Sequence, residues 1–337
     1  MIIDELHTST LTNRCAMSAA LALQGLTNKI VETALFRGQL AHEIMDFVHR
    51  YGVWDASEIN FPNLLQKTCD KFEREGRKLE PVVLRDMQKN LEEVAKLCTH
   101  YMARRKDYFA QCTILGVEAP MRWVMEVGSH APIKMATHCD LIYRDPNGEI
   151  TVGDYKLNED WFTMAGGQID ELAGCSKNGE PKAIKLADQL PTIDYLGRNP
   201  QFAMMSLMVN YGAVHLNVGG RDEWVEFDEN PWLEWVNLNS FKPYSAACKV
   251  REFGGGLREY KKGDERPMSV LIRRWRDSME KQNLAKSHIA KRVLVFEHDL
   301  YTPNPDKLGC FLCASKEWCD SYITDWKDQI DPVCEPV

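Results

Sequence analysis

The sequence contains no run approaching the roughly 18 consecutive apolar residues that mark a membrane-spanning helix. Its opening, MIIDELHTSTLTNRC, lacks the basic start and apolar stretch of a secretory signal peptide. The expectation is a soluble, cytoplasmic protein with no membrane partner. No internal repeat or low-complexity tract is visible, and the composition sets aside disordered and fibrous chains. Excess positive charge is missing too: 41 Lys and Arg stand against 49 Asp and Glu, a net charge of -8. A protein that coats nucleic acid with its whole surface is excluded, so any nucleic-acid contact has to use a local basic patch.

What is there is ordinary globular composition, 44% hydrophobic and 27% charged over 337 residues, enough for one large domain or two smaller ones. Eleven cysteines, an odd number, occur without a secretion signal. That combination argues against a disulfide framework and for metal ligation or simple burial.

Apolar residues recur at helical spacing over residues 32–51 (Leu35, Leu40, Ile44, Phe47, Val48), over residues 81–106, and more briefly over residues 64–72. Segments rich in β-branched and apolar residues follow, at 112–118, 121–127, 137–143 and 150–155, separated by turn residues such as Asp145-Pro146-Asn147-Gly148. A strand meander after a helical third predicts an α/β fold. Residues 166–181 read as a polar loop, and Asn199-Pro200 supplies a cap and first-turn proline for a helix over 201–210. The Met204-Met205-Ser206-Leu207-Met208 run on it reads as packing against the sheet, and a strand over 214–218 follows. Between residues 249 and 292, 13 Lys and Arg face 6 Asp and Glu, interrupted by Gly254-Gly255-Gly256.

The segment CDLIYRDPNGEITVGDYK, residues 139–156, folds as a hairpin about Pro146-Asn147, with paired residue numbers summing to about 293. Asp140 then lies beside Gly153 or Asp154, and Lys156 projects to the face of Asp154 because strand side chains alternate with period two. Two carboxylates this close repel unless a hard cation sits between them, and Mg²⁺ is typically held by one or two carboxylates, waters and substrate phosphate. A lysine beside them can hold a water or neutralise charge on a pentacovalent phosphorus. The bland alternative is a solvent-exposed strand end with a surface ion pair. Glu118, opening the preceding strand pair, is within reach of such a centre but reads first as a salt-bridged strand residue.

These residues resemble the RecB-like branch of the PD-(D/E)XK nucleases. Gly38-Gln39-Leu40-Ala41-His42 matches the G-x-x-x-H helical motif, Asp140 the lone aspartate, Asp154-Tyr155-Lys156 the D-x-K triplet, and Gln201 the glutamine of the following helix. The resemblance implies a restriction-endonuclease-like mixed sheet flanked by helices. It implies Mg²⁺ or Mn²⁺ bound by His42, Asp140, Asp154 and the Tyr155 backbone, with Lys156 acting on the nucleophilic water and Gln201 assisting. Gly38, i and i+4 with His42, would let that helix approach the sheet closely. Two positions depart from the family: Met205 stands where a tyrosine is frequent, and the glycine before the lone aspartate is replaced within Ala136-Thr137-His138.

Near the end of the chain, Cys310-x2-Cys313-x5-Cys319 has metal-ligand spacing in a stretch without strong periodicity. Four thiolates would suit an iron-sulfur cluster or tetrahedral zinc, and spacing does not separate them. One subset of RecB-like nucleases, including CRISPR-associated exonucleases and AddB subunits, carries a [4Fe-4S] cluster with one cysteine ahead of the G-x-x-x-H helix. By that resemblance Cys15 is the fourth ligand and iron-sulfur is preferred over zinc. Cys69, Cys98, Cys112, Cys139, Cys175, Cys248 and Cys334 read as burial or surface positions.

In the basic segment Arg273, Arg274 and Arg276 are candidates for tracking a phosphate backbone, with Trp275 stacking on a base; a solvated helix face with Trp275 in the core is the alternative. The whole reads as one nuclease domain over residues 1–320. It has a helical insertion at 51–105, the basic segment at 249–292, a cysteine-rich cap at 301–320 joined to Cys15, and a tail at 321–337. The expected activity is exonucleolytic hydrolysis of single-stranded DNA or DNA ends in recombination, repair or end processing, with recombination or replication proteins as partners and a phage or mobile-element setting compatible. The rival expectation is a non-catalytic DNA-binding scaffold that retains the fold and cluster.

Overall fold

The computed structural model describes residues 6–7, 29–126, 132–157, 183–185, 193–197, 199–238, 247–251, 257–262 and 271–297. Short strands β1 (Leu6–His7) and β2 (Ile30–Val31) precede helix α1 (Thr33–Tyr51). The helix buries one stripe, Phe36, Leu40, Ala41, Ile44, Met45 and Val48, and ends where Gly52 takes the left-handed conformation and its N–H returns to the Val48 carbonyl. Helix α2 (Phe61–Arg74) is capped by the Asn60 side chain, which accepts from the Asn63 N–H. Strand β3 (Lys78–Leu79) pairs parallel with β2 and leads into α3 (Pro81–Arg85) and α4 (Met87–Phe109). The single helix expected over 81–106 is therefore two, broken at Asp86, whose φ of -101° and ψ of 19° leave the helical region. A one-residue break preserves the phase of the apolar stripe, which is why periodicity runs through it.

Strand β4 (Thr113–Met125) is one long strand where the sequence suggests two. Pro120 reads as a break but stays in the ladder opposite His138. The next strand along pairs with β4 only at Met121 and Arg122, so the missing Pro120 N–H leaves no partner wanting there. Strands β5 (Ile133–Arg144) and β6 (Ile150–Lys156) form the expected hairpin, followed by β7 (Ala183–Lys185), α5 (Ile193–Leu196), α6 (Pro200–Tyr211), β8 (Ala213–Leu216), β9 (Glu223–Val225) and β10 (Trp232–Asn237). The described chain closes with β11 (Cys248–Arg251), β12 (Leu257–Tyr260), β13 (Leu271–Trp275) and α7 (Met279–Glu297).

The main sheet runs β13-β10-β6-β5-β4-β8-β9, with β1 added parallel to the first half of β5. It is mixed: β10 pairs parallel with β6 and β1 with β5, and the remaining pairs are antiparallel. Two apolar cores lie on its two faces. One joins α6 and α7 to Met121, Trp123, Ile142, Val152 and Trp235. The other joins α1, α2 and α4 to Val117, Leu141, Tyr143, Tyr155 and Val236, so the helices of residues 51–105 form part of one covering layer. The protein is an α/β molecule whose sheet is flanked by helices on both sides. Among the described residues no helix is long and apolar enough to cross a membrane.

The hairpin register differs from expectation by one. Leu141 pairs with Gly153 and Arg144 with Ile150, so paired numbers sum to 294. The extra residue sits in the turn: the Gly148 N–H donates to the Asp145 carbonyl, Gly148 takes φ 81°, and the Asp145 N–H donates to the Glu149 carbonyl. A left-handed glycine after a tight turn adds one unpaired position to one strand. The shift sets Asp140 level with Asp154.

Candidate active site

β5 and β6 pair only from Arg144 to Leu141; beyond Gly153, β6 stays with β10 and parts from β5. Asp140 lies at this fork. Its Oδ2 accepts the Tyr155 N–H at 2.6 Å, replacing the ladder bond that the parted strands no longer make. The same point is where β4 and β5 both exchange faces: Val117 and Leu141 belong to the core under α1, whereas their near neighbours Ala119 and Cys139 belong to the core under α6. Between them sit Glu118 and Asp140, aligned with one another by the 117–141 and 119–139 pairs.

α1 delivers His42 to this fork from one side. Its Nδ1 is 3.0 Å from Glu118 Oε1 and 3.5 Å from Asp140 Oδ1. Ligand atoms of His42, Glu118 and Asp140 lie within 4.8 Å of one another. α6 delivers Gln201 from the other side, its Nε2 donating to Asp154 Oδ1 at 3.0 Å and its Oε1 accepting from Lys156 Nζ at 3.5 Å. The helix start is fixed by Asn199, whose side chain accepts from the Gln201 N–H. Lys156 Nζ stands 2.5 Å from Asp154 Oδ2 as an ion pair.

Charge sets the protonation of the cluster. Burial works to lower the His42 pKa, but Asp140, the hydrogen bond to Glu118 and the charge of Asp154 outweigh it and lift it to about 9. Burial raises the Asp140 carboxyl to about 7, with Asp154 and Glu118 adding to the rise against His42 and Lys156. Glu118 moves the opposite way: burial favours its neutral form, yet the bonded His42 holds it below its ordinary value. Burial also works against the Lys156 charge, and Asp154 and Asp140 more than compensate, keeping the ammonium protonated. Without an ion, the His42 proton and the Lys156 ammonium offset the negative charge gathered by Glu118, Asp140 and Asp154, and an ion bound there would displace the His42 proton. The donor set, oxygens with one imidazole, suits a divalent ion of the Mg²⁺ or Mn²⁺ kind.

Five expected site residues, His42, Asp140, Asp154, Lys156 and Gln201, therefore converge, and the Tyr155 backbone lies among them. Glu118 is the residue that sequence reasoning under-weighted; its only signal was its place ahead of Asp140. The Gly38 expectation is corrected: an added Cβ there meets nothing within 4 Å, so no close approach to the sheet depends on it. Met205, one turn beyond Gln201, is fully buried and serves packing.

The basic triplet is also corrected in part. Arg273 and Arg274 lie on edge strand β13, Arg276 just past its end, and none on a helix; Trp275 is buried in the core, so it is not available to stack on a base. Arg274 bonds Asp145 at 2.6 Å and Thr151 Oγ1 at 3.0 Å, and Arg276 bonds Glu149 at 2.9 Å, both guanidinium groups lying over the Trp232 ring. These two arginines tie β13 to the hairpin turn. Arg273 of β13 sits opposite Trp235 of β10. Cys15, Cys310, Cys313 and Cys319, with the loop at 166–181, lie outside the described residues. Cys98 and Cys139 are buried, and Cys69 and Cys112 partly so.

No family model and no curated protein matches the chain. The crystal structure of SSO0001 is similar at a TM-score of 0.39 with 10% identical residues, over 95% of this chain and 88% of that one. At that distance the likeness assigns neither fold nor function.

Proposed function

We propose that this chain is a divalent-metal-dependent deoxyribonuclease with a restriction-endonuclease-like core, hydrolysing single-stranded DNA or DNA ends exonucleolytically in recombination, repair or end processing. One observation carries the reading: the hairpin carboxylates Asp140 and Asp154, Lys156, the helical His42 and Gln201 meet at a single fork in the sheet. Chance D-x-K triplets have no reason to collect a histidine from one helical layer and a glutamine from the other.

His42, Asp140, Asp154 and the Tyr155 carbonyl are the proposed holders of the ion. A divalent ion bound there supplies Lewis-acid polarisation of a phosphate oxygen and acidifies a water. Gln201 fixes Asp154 through Oδ1 and Lys156 pairs with its Oδ2, while the Tyr155 N–H fixes Asp140 through Oδ2 and leaves Oδ1 toward His42. Lys156, kept charged by its carboxylate neighbours, orients the attacking water and offsets negative charge growing on phosphorus. The [4Fe-4S] cluster, with zinc as the alternative, belongs to the proposal through the resemblance alone.

The test is end-labelled single-stranded DNA incubated with the protein and Mn²⁺ or Mg²⁺, beside Asp154→Ala and a chelator control. Metal-dependent loss of the parent strand in the wild type alone is expected. Equal inertness of folded wild type and variant would move the assignment to a DNA-binding scaffold.

A further inference from the structure

β4 does not run straight through the site. Its register against β5 shifts between Ile114 and Gly116, and at Glu118 the backbone takes a φ of 45°. That left-handed conformation is strained for a residue with a side chain. A Cβ at Gly116 would stand 2.8 Å from Ala119 Cβ, so the kink closes only because that position is glycine.

The kink is held from two sides. Asn217 takes both backbone groups of Val117: its Oδ1 accepts the N–H at 2.9 Å and its Nδ2 donates to the carbonyl at 2.8 Å. Arg50, two turns beyond His42 on α1, donates to the same carbonyl at 3.1 Å and to the Asn217 carbonyl at 3.0 Å, while Asp46 grips its guanidinium at 2.6 Å. The product of this bracing is the direction of Glu118. Its carboxylate, 36% exposed, reaches the His42 ring, level with Asp140 and beside the fork.

A strained backbone braced by Asn217 and Arg50 is costly to maintain for an ion pair that a straight strand and a longer-reaching partner could supply. We propose that Glu118 is itself a ligand of the divalent ion, a third carboxylate beside Asp140 on the side away from Asp154. This rests on the reading of the site as a metal-dependent centre. The assignment adds negative charge to the ligand set, which raises affinity for a hard cation, and leaves Asp140 as the central carboxylate of a row across β4, β5 and β6.

Mn²⁺ alone, without DNA, titrated into metal-free full-length protein by calorimetry tests this apart from turnover. Glu118→Gln keeps the shape and removes the charge; Glu118→Gly keeps the left-handed turn with less strain and provides a variant expected to fold. Both should bind Mn²⁺ more than about 100-fold more weakly than wild type, beyond the roughly 10–100-fold that losing a partner of His42 costs, with thermal unfolding of the metal-free proteins retained as a single transition. A loss of about 100-fold or less in both variants would overturn the proposal, leaving Glu118 as the partner of His42 and the nuclease reading intact. Absence of Mn²⁺ binding by folded wild type would overturn both.

Discussion

His49 is buried at 3% exposure on the same helix as His42, and its environment reverses its chemistry. Its Nε2 meets the Tyr155 hydroxyl at 2.7 Å and the Tyr101 hydroxyl at 3.1 Å, and those hydroxyls meet each other at 2.9 Å. Burial, reinforced by the Arg105 charge, takes its pKa down from 6.5 to about 3. Above 6.5 the ring is neutral in folded and unfolded chains alike. Below 6.5 the unfolded chain gains a proton that the native ring refuses, so native stability falls as pH drops toward 3, by roughly 1 kcal/mol per pH unit. His49→Phe is expected to flatten the decline in melting temperature between pH 7 and pH 5, whatever it costs at pH 7. An unchanged slope would show that His49 is not the group responsible. No pattern distinguishes this histidine in the sequence, because it occupies an apolar stripe as any core residue would. Asp154 and Lys156 are legible because period-two alternation fixes their common face once the strand is recognised. Glu118 is not, because its aim depends on a left-handed backbone that local residue preference does not announce.

Elements were easier to find than to bound. Helix α1 and helix α6 follow directly from apolar spacing and from Asn199-Pro200, and β5 and β6 from the turn between them. The turn's added residue moved the register by one, a displacement that decides whether Asp140 faces Gly153 or Asp154. β4 was harder, because its kink breaks alternation and Pro120 imitates a terminus. The kink makes a prediction of its own. Gly116→Ala drives a methyl against Ala119 Cβ and to 3.1 Å from Ile142 Cγ2, atoms of a packed sheet. Overpacking of this kind costs about 1–3 kcal/mol. Urea denaturation should show a lower midpoint with an unchanged slope, and a midpoint equal to wild type would mean that the kink yields without cost.

At the scale of the molecule the site exists because two helical layers address one break in a sheet. α1 supplies His42 and part of the bracing for β4; α6 supplies Gln201; the hairpin between them supplies both aspartates and Lys156. Such convergence is invisible to composition and only indirectly written in motif order. The net charge of -8 limits nucleic-acid contact to local features, and two of the three arginines singled out for it are engaged with the hairpin turn. The central claim is that this convergence hydrolyses DNA, and Lys156 separates chemistry from metal holding most sharply. The measurement is the rate at which 5′-labelled single-stranded DNA is degraded by wild type and by Lys156→Met, both with Mn²⁺ occupancy determined on the same samples. At equal occupancy the variant should be slower by about 100-fold or more. Equal rates, or no metal-dependent degradation by a folded and Mn²⁺-loaded wild type, would contradict the account.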